Sequence, residues 1–467
     1  MLHRVVRGLG LHGNAAEGVA RLSCRQAALM TLARFESSVT PGPKASDAKV
    51  HALSKNKGDA CAYAGYDDFA SYSALRHNGY LLMHSRRLWL PGVMLLLHSF
   101  LGPQYLTSWM AEGLYWSACV LVQRINVRGR TNRVRKDLAD KVCVVTGGTS
   151  GIGLHTAMQL WNMGARVVIA SRPGHETRTR EFFRVHSRLD ADSAEKALDE
   201  RLTFVALDLS DQVNIMACAA KLEGMLNGRI DILVNCAAVW LEEPGLTKSG
   251  FEEHIGINFL GPFHFTEALL PSLRRSRRGG RVVYVTCASH NGVRRGNVVQ
   301  ERMTLKPSEE AQQLTARCYS ASKLGNVYHV QSIAERHYEG IPLNKPSDLR
   351  PVVACAADPG FCSTGIVWRE SAPLLGMGFI ARALRSLLLK TGSEGSQTVV
   401  NCCVRDDLEI GGYYAECTLM PSGLSRRAHC AKSRREVIYW AMGKTTGRYH
   451  TMTPRVVSEG GTEGQGP

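Results

Sequence analysis

From residue 138 onward, hydrophobic positions fall in short β-branched runs separated by longer stretches with helical spacing. The runs lie at 142–146, 166–170, 202–207, 232–235, 281–286 and 352–356. Strands separated by helix-length segments predict parallel βαβ units and an α/β, doubly wound parallel sheet. The pattern before residue 138 is different. No Asp, Glu, Lys or Arg occurs from 88 to 111, and after Glu112 a second uncharged run extends to 123. Arg86 and Arg87 precede these runs, and Arg124, Arg128, Arg130, Arg133, Arg135 and Lys136 follow them. A spanning helix needs about 20 apolar residues, but Pro91, His98, Pro103 and Gln104 interrupt the first run. Attachment to a membrane surface is therefore expected, with Trp89, Tyr105, Trp109, Tyr115 and Trp116 suited to the interface. An apolar helix packed onto the following domain is the alternative.

Charge sharpens this division. The 467-residue chain carries a formal +16, yet residues 1–137 hold 18 Lys/Arg against 8 Asp/Glu, so the basicity is concentrated in the extension. No finger, homeodomain or aromatic–basic signature accompanies it, and no nucleic-acid partner is expected. Within the first 35 residues, Arg4, Arg7, Arg21, Arg25 and Arg34 face the single acid Glu17, the composition of a mitochondrial-type presequence or of a basic tail. Residues 37–60 have linker composition. The 14 cysteines form no CxxC or metal-ligand spacing, so no metal is expected and they read as small buried hydrophobes in a reducing compartment. The division is 1–60 presequence-like segment and linker, 61–137 membrane-associating segment, 138–445 catalytic domain and 446–467 tail.

The first strand runs directly into TGGTSGIG at 146–153 and then into a helical stretch. Gly147 permits a sharp turn, Gly151 lets backbone approach a pyrophosphate, and Gly153 allows helix and strand to pack closely. The helix N-terminus then faces the phosphates. Tyr319 and Lys323 stand four apart in YSASK, on one face of a helix expected to begin near them. A free phenol titrates near 10, so acid–base work by Tyr319 calls for an adjacent cation, which Lys323 supplies.

These motifs together resemble the short-chain dehydrogenases/reductases. TGxxxGxG matches the family's glycine fingerprint, NCAA at 235–238 is similar to its NNAG, Asn258 matches its helix asparagine, YSASK its YxxxK, and DPGFCST at 358–364 the segment beside the nicotinamide. YSASKLGN and the late GSQTVVNCCV and GGYYAEC are similar to the retinol-dehydrogenase-like branch, and the likeness covers about 138–420. It implies a Rossmann fold and a dinucleotide held by Thr146, Gly147, Ser150, Gly151, Ile152, Gly153, Arg172, Asp208, Leu209, Asn235, Ala237, Tyr319, Lys323, Pro359, Gly360 and Thr364. Asp208 would contact the adenine or, alternatively, cap the next helix. It also implies that Tyr319 exchanges a proton with the substrate oxygen, that Lys323 bonds the nicotinamide ribose, and that Asn258 supports a relay water. Homodimers or homotetramers occur among such relatives.

NCAA departs from NNAG at Cys236 and Ala238, and two further sites depart from the pattern. The second strand ends in Ala-Ser-Arg at 170–172, with no acid to accept from a ribose 2′-hydroxyl, so NADP(H) is expected over NAD(H), with Arg172 at the 2′-phosphate. The fifth strand ends RVVYVTCASH, which puts Cys287 where the family carries its substrate-orienting serine. A thiol is a weak donor. If the chain stays extended, Ser289 lies on the same face as Cys287 and can substitute. The 32 positions from Cys287 to Tyr319 read as a long functional loop, and apolar residues 370–389 as a substrate-binding segment or core. The expected activity is hydride transfer between NADP(H) and a hydrophobic alcohol, aldehyde or ketone in a membrane-associated intracellular enzyme, mitochondrial or reticular. The alternative is a catalytically weakened nucleotide-binding scaffold or sensor.

Overall fold

The structure, a computed structural model, describes residues 109–241, 243–293, 298, 311–337, 349–363 and 387–444. The presequence-like segment, most of the first uncharged run, Thr364, most of 370–389 and the C-terminal tail lie outside the described residues.

Helix α1 (Trp109–Arg128) leads into β1 (Val142–Thr146), α2 (Gly151–Asn162), β2 (Arg166–Ser171), α3 (Glu176–Val185), α4 (Ala191–Arg201) and β3 (Leu202–Ala206). Then come α5 (Gln212–Met225), β4 (Ile232–Asn235), a π turn (Gly256–Leu260), α6 (Gly261–Arg274), β5 (Arg281–Val285) and α7 (Ala311–Glu335). The chain continues through β6 (Val353–Asp358), α8 (Gly392–Val404), β7 (Tyr413–Ala415), β8 (Thr418–Leu419) and α9 (Ala431–Gly443). The sheet order is β3-β2-β1-β4-β5-β6-β7-β8, parallel except where β8 runs antiparallel to β7. The order reverses between β1 and β4, where Thr146 pairs with Asn235, and a crevice for ligands opens beyond the carboxyl ends of strands at such a point.

Strand alternation divides the interior in two. Val144, Leu233, Val282, Tyr284 and Ala354 point into one core, shared with α5, α6, α7 and α9. Cys143, Val145, Val234, Val283 and Cys355 point into the other, against α2 and α8, where Trp161, Cys402 and Cys403 are buried. Truncating a buried leucine of either core would cost about 2–5 kcal/mol.

The first core also encloses a polar chain. Asn235 donates to Thr266, Thr266 meets the Tyr284 hydroxyl, and Tyr284 meets His329 Nδ1 at 2.7 Å. His329 Nε2 then bonds Glu267 at 2.8 Å, and Arg336 closes the chain on the same carboxylate. Burial alone would raise the Glu267 carboxyl, but these partners hold it down at about 2.

Two sequence expectations change here. Helix α7 begins eight residues before Tyr319, because 311–318 contains helix-forming Ala, Gln, Leu and Arg and no Gly or Pro. The pair therefore sits within the helix, and the interval after Cys287 is loop only in part. The β7–β8 hairpin was not foreseen. Its turn residues, Glu416 and Cys417, both have positive φ (51° and 58°) without the Asn-Gly signal that normally marks such a turn. Glu416 is held there by Lys390 at 2.9 Å, in a buried ion pair, and by the Arg130 N–H.

Helix α1 is half committed to the domain. Arg124 pairs with Glu394 at 2.5 Å, Gln123 donates to the Leu387 carbonyl, and Val127 is buried. Val120, Leu121, Val122 and Ile125 remain exposed. No helix among the described residues is long and apolar enough to cross a membrane.

Candidate active site

The glycine loop satisfies steric demands that only glycine meets. Gly147 has φ +66°, and a Cβ there would lie 2.9 Å from the Ala237 Cα. Gly151 has φ +53°. A Cβ on Gly153 would sit 2.4 Å from the Gly147 carbonyl oxygen, so α2 can approach the loop only without a side chain. Helix α2 starts after Ser150 with no side-chain cap and no acid in its first turn. Its N–H groups are thus left to an anion, and the cradle fits a dinucleotide pyrophosphate.

Around this cradle the expected residues divide by task. Thr146 is fully buried and its hydroxyl accepts from the Cys236 and Ala237 N–H groups at 3.0 and 3.1 Å, clamping the loop after β4 to β1. Asn235 is likewise buried and bonded to Thr266. Leu209 lies in the core and Ile152 packs beside the second core. Asp208 accepts from Ser210 and Lys248. The cap of α5 is Asp211, not Asp208. Arg172, one residue past β2, is exposed and makes no hydrogen bond or ion pair among the described residues. Gly360, with φ +79°, donates to Asp358 beside Pro359 at the end of β6.

At the chemical end, the Tyr319 hydroxyl lies 3.8 Å from Cys287 Sγ. Lys323 is buried, its Nζ 5.6 Å from the Tyr319 ring centre and donating to the Val285 carbonyl at 3.3 Å. Thr286 donates to the Lys323 carbonyl at 3.1 Å, tying the middle of α7 to the end of β5. Burial, reinforced by the Cys287 thiol, pushes the Tyr319 phenol well above its ordinary range. Burial also lowers the Lys323 ammonium, against the opposing pull of Cys287, Cys236 and Asp358. The sequence offers Lys323 as the cation that favours the phenolate; in the structure desolvation is the largest effect on the phenol.

Ser289 does not reach the reacting centre by the route expected. After Cys287 the chain coils into a 3-10 turn, Ala288–Gly292, so strand alternation ceases to apply. Ser289 makes no hydrogen bond to Tyr319 among the described residues. His290 uses the same turn to hold Cys287: its Nδ1–H donates to the Cys287 carbonyl at 2.8 Å, and its Nε2 accepts from Ser425 N at 3.2 Å.

Asn258 sits in the π turn, its amide donating to the Val239 carbonyl at 2.9 Å and accepting from the Val239 N–H at 2.7 Å. The π turn has the wider hydrogen-bond spacing that recurs at functional sites. Sequence reasoning missed Trp240 and His254. The Trp240 ring centre is 4.6 Å from that of Tyr319, edge to face, and His254 is 5.9 Å from the same ring. Their only sequence signal was proximity to the NCAA and Asn258 motifs.

Residues 141–300 match the sequence profile described as short chain dehydrogenase. Over 314 residues the chain is 31% identical to dehydrogenase/reductase SDR family member 13 of Bos taurus, covering 66% of this chain and 74% of that protein. It is 31% identical to human polyprenol dehydrogenase over 288 residues, 59% of this chain and 76% of that one. Human retinol dehydrogenase 12 is 32% identical over 293 residues, 62% and 82% of the two chains.

Proposed function

The chain belongs to the short-chain dehydrogenase/reductase family and is an oxidoreductase acting on CH–OH groups, and from that premise we propose that it transfers hydride between NADP(H) and a hydrophobic alcohol, aldehyde or ketone. The observation that carries the reading is the placement of Tyr319 and Lys323 within one helix, tied by Thr286 to the end of β5. Named relatives act on polyprenol and retinol, which favours a lipid substrate here.

In this reading Gly147, Gly151, Gly153 and the uncapped start of α2 hold the pyrophosphate. Arg172 pairs with the 2′-phosphate as a charge-assisted donor. The bound nicotinamide supplies or accepts the hydride at the substrate carbon. Tyr319 gives its phenolic proton to the carbonyl oxygen during reduction and takes it back during oxidation. Lys323 lies where its charge lessens the cost of the phenolate left behind. Cys287 contributes a weak donor where a hydroxyl would do more, which also sustains the second reading, a nucleotide-binding scaffold or sensor with reduced turnover.

The exposed apolar positions of α1, beside the basic run Arg128 to Lys136, support docking on an anionic membrane surface. The deciding experiment is consumption of NADPH and NADH by membrane-extracted protein with a panel of lipid aldehydes and ketones, Tyr319→Phe serving as control. Turnover lost in Tyr319→Phe upholds the reading; turnover insensitive to that change overturns it.

A further inference from the structure

Trp240 is a large apolar residue at 38% exposure, yet it is not a loose surface side chain. The backbone on either side of it is fixed by buried residues from the segment entering α6. Asn258 bonds both the N–H and the carbonyl of Val239, and His254 Nε2 accepts from the Leu241 N–H at 3.0 Å. That acceptor is itself oriented: His254 Nδ1–H donates to Glu252 at 2.6 Å, and the other Glu252 oxygen accepts from the Ile255 N–H. His254 is completely buried and Glu252 nearly so. The chain Glu252, His254, Leu241 thus anchors the backbone that carries the indole, which lies 4.6 Å from the Tyr319 ring at an interplanar angle of 69°. A wall held this way costs little further ordering when a ligand binds.

We propose that Trp240 is the specificity-determining wall of the site, restricting the reaction to substrates with one chain on the reacting carbon: primary alcohols and their aldehydes. The inference rests on the hydride-transfer reading above. The Tyr319 hydroxyl, which a carbonyl oxygen would meet, has Cys287 Sγ 3.8 Å away, and the indole lies 4.6 Å from the Tyr319 ring centre. An aldehyde sets its hydrogen toward the indole and lays its single chain along the ring face. A ketone must place a second carbon there, where the anchored backbone on both sides of Trp240 limits how far the indole can withdraw. His254 and Glu252 are positioning residues, acting through Leu241. Reduction stays balanced in the ordinary way, with hydride to carbon and the Tyr319 proton to oxygen.

The test compares kcat/KM for a long-chain aldehyde and for the methyl ketone of the same carbon count, using full-length membrane-extracted protein with NADPH. Wild type should favour the aldehyde. Trp240→Ala should raise ketone turnover and shrink the aldehyde-to-ketone ratio by about tenfold or more, with Trp240→Phe in between. A gain with the ketone is an effect that mere loss of structure does not produce. If Trp240→Ala fails to fold, Trp240→Leu serves the same comparison. A ratio unchanged in folded variants that still turn over the aldehyde overturns this inference alone. Absence of turnover of both probes by wild type overturns the apolar-substrate reading as well.

Discussion

The Tyr319 hydroxyl and the Cys287 thiol lie 3.8 Å apart, beyond the reach of a strong hydrogen bond between oxygen donors and acceptors. The neighbour of the candidate acid is therefore soft, weakly donating and, by its effect on the phenol, a further obstacle to ionisation. Replacing Cys287 by Ser adds a stronger donor at the same atom position. The expected outcome is a kcat higher by about tenfold, a fraction of the 100- to 1000-fold attached to a full oxyanion donor, with Tyr319→Phe inactive in either background. Steady-state kinetics on the three variants decide this, and loss of activity in Cys287→Ser would count against it.

The same burial sets a pH dependence. Because the Tyr319 phenol is raised, its protonated form persists through neutrality and its phenolate is scarce. Carbonyl reduction, which needs the phenol, should stay flat from about pH 6 to about pH 9, while alcohol oxidation, which needs the phenolate, should still be climbing at about pH 9. Profiles of kcat/KM in the two directions check the sign; oxidation levelling off below neutrality would contradict it.

Arg172 is exposed and, among the described residues, unpaired at the end of β2. Arg172→Ala should weaken NADPH by about tenfold or more and NADH hardly at all, the loss of one charge-assisted contact. Dissociation constants measured by titration of each nucleotide are the check, and equal losses would remove the residue from the cofactor assignment.

Gly153→Ala would place a methyl carbon 2.4 Å from the Gly147 carbonyl. Both groups are backbone-fixed, so the loop must shift. A destabilisation of about 1–3 kcal/mol is expected, together with loss of the rise in melting temperature that NADPH gives wild type. Retained thermal stabilisation by NADPH would show that the cradle tolerates the methyl group.

Acid stability should fall in two stages. His264 is buried and lowered to about 4 from 6.5, so it is neutral in the fold and its contribution, complete above pH 6.5, is lost as pH falls toward 4. Glu267 is depressed to about 2 from 4.5, so its contribution is complete above pH 4.5 and is lost as pH falls through that lower window. Glu267→Gln removes the charge facing Arg336 and His329 and should cost about 3 kcal/mol at neutral pH while flattening the lower stage. Urea unfolding across pH measures both; an unchanged slope below pH 4.5 in the variant would refute the assignment.

The parallel sheet was legible because Val, Ile and Leu runs repeat at βαβ spacing, and strands such as 142–146 and 232–235 have the bounds the sequence suggested. The β7–β8 hairpin was not, since two residues in β8 carry no periodicity and the turn rests on Glu416, whose left-handed backbone is stabilised by distant Lys390 and Arg130. At the candidate site, the types of Tyr319, Lys323 and Gly153 announced their chemistry. The placement of Trp240 did not, because the backbone beside it is held by His254 and Glu252, through the Leu241 N–H, rather than by any spacing rule. Equally illegible were the side-chain partners of Thr146, Asn235 and Asn258, which bond the loop after β4, Thr266 of α6 and Val239 respectively. Ser289 failed as a strand residue because the strand had already ended.

The parallel bridge between Cys362 and Lys390, with Ser363 N bonded to the Lys390 carbonyl and Lys390 N to the Phe361 carbonyl, joins two points of the chain far apart in sequence. The Lys390–Glu416 pair fastens the second of these points to the β7–β8 turn. Closing a longer segment between fixed ends adds only about 0.6 kcal/mol per doubling of its length. The neighbouring placement of Cys362 and Lys390 is therefore set by the clasp of Lys390 on Glu416 and not by the number of residues that separate them in the chain.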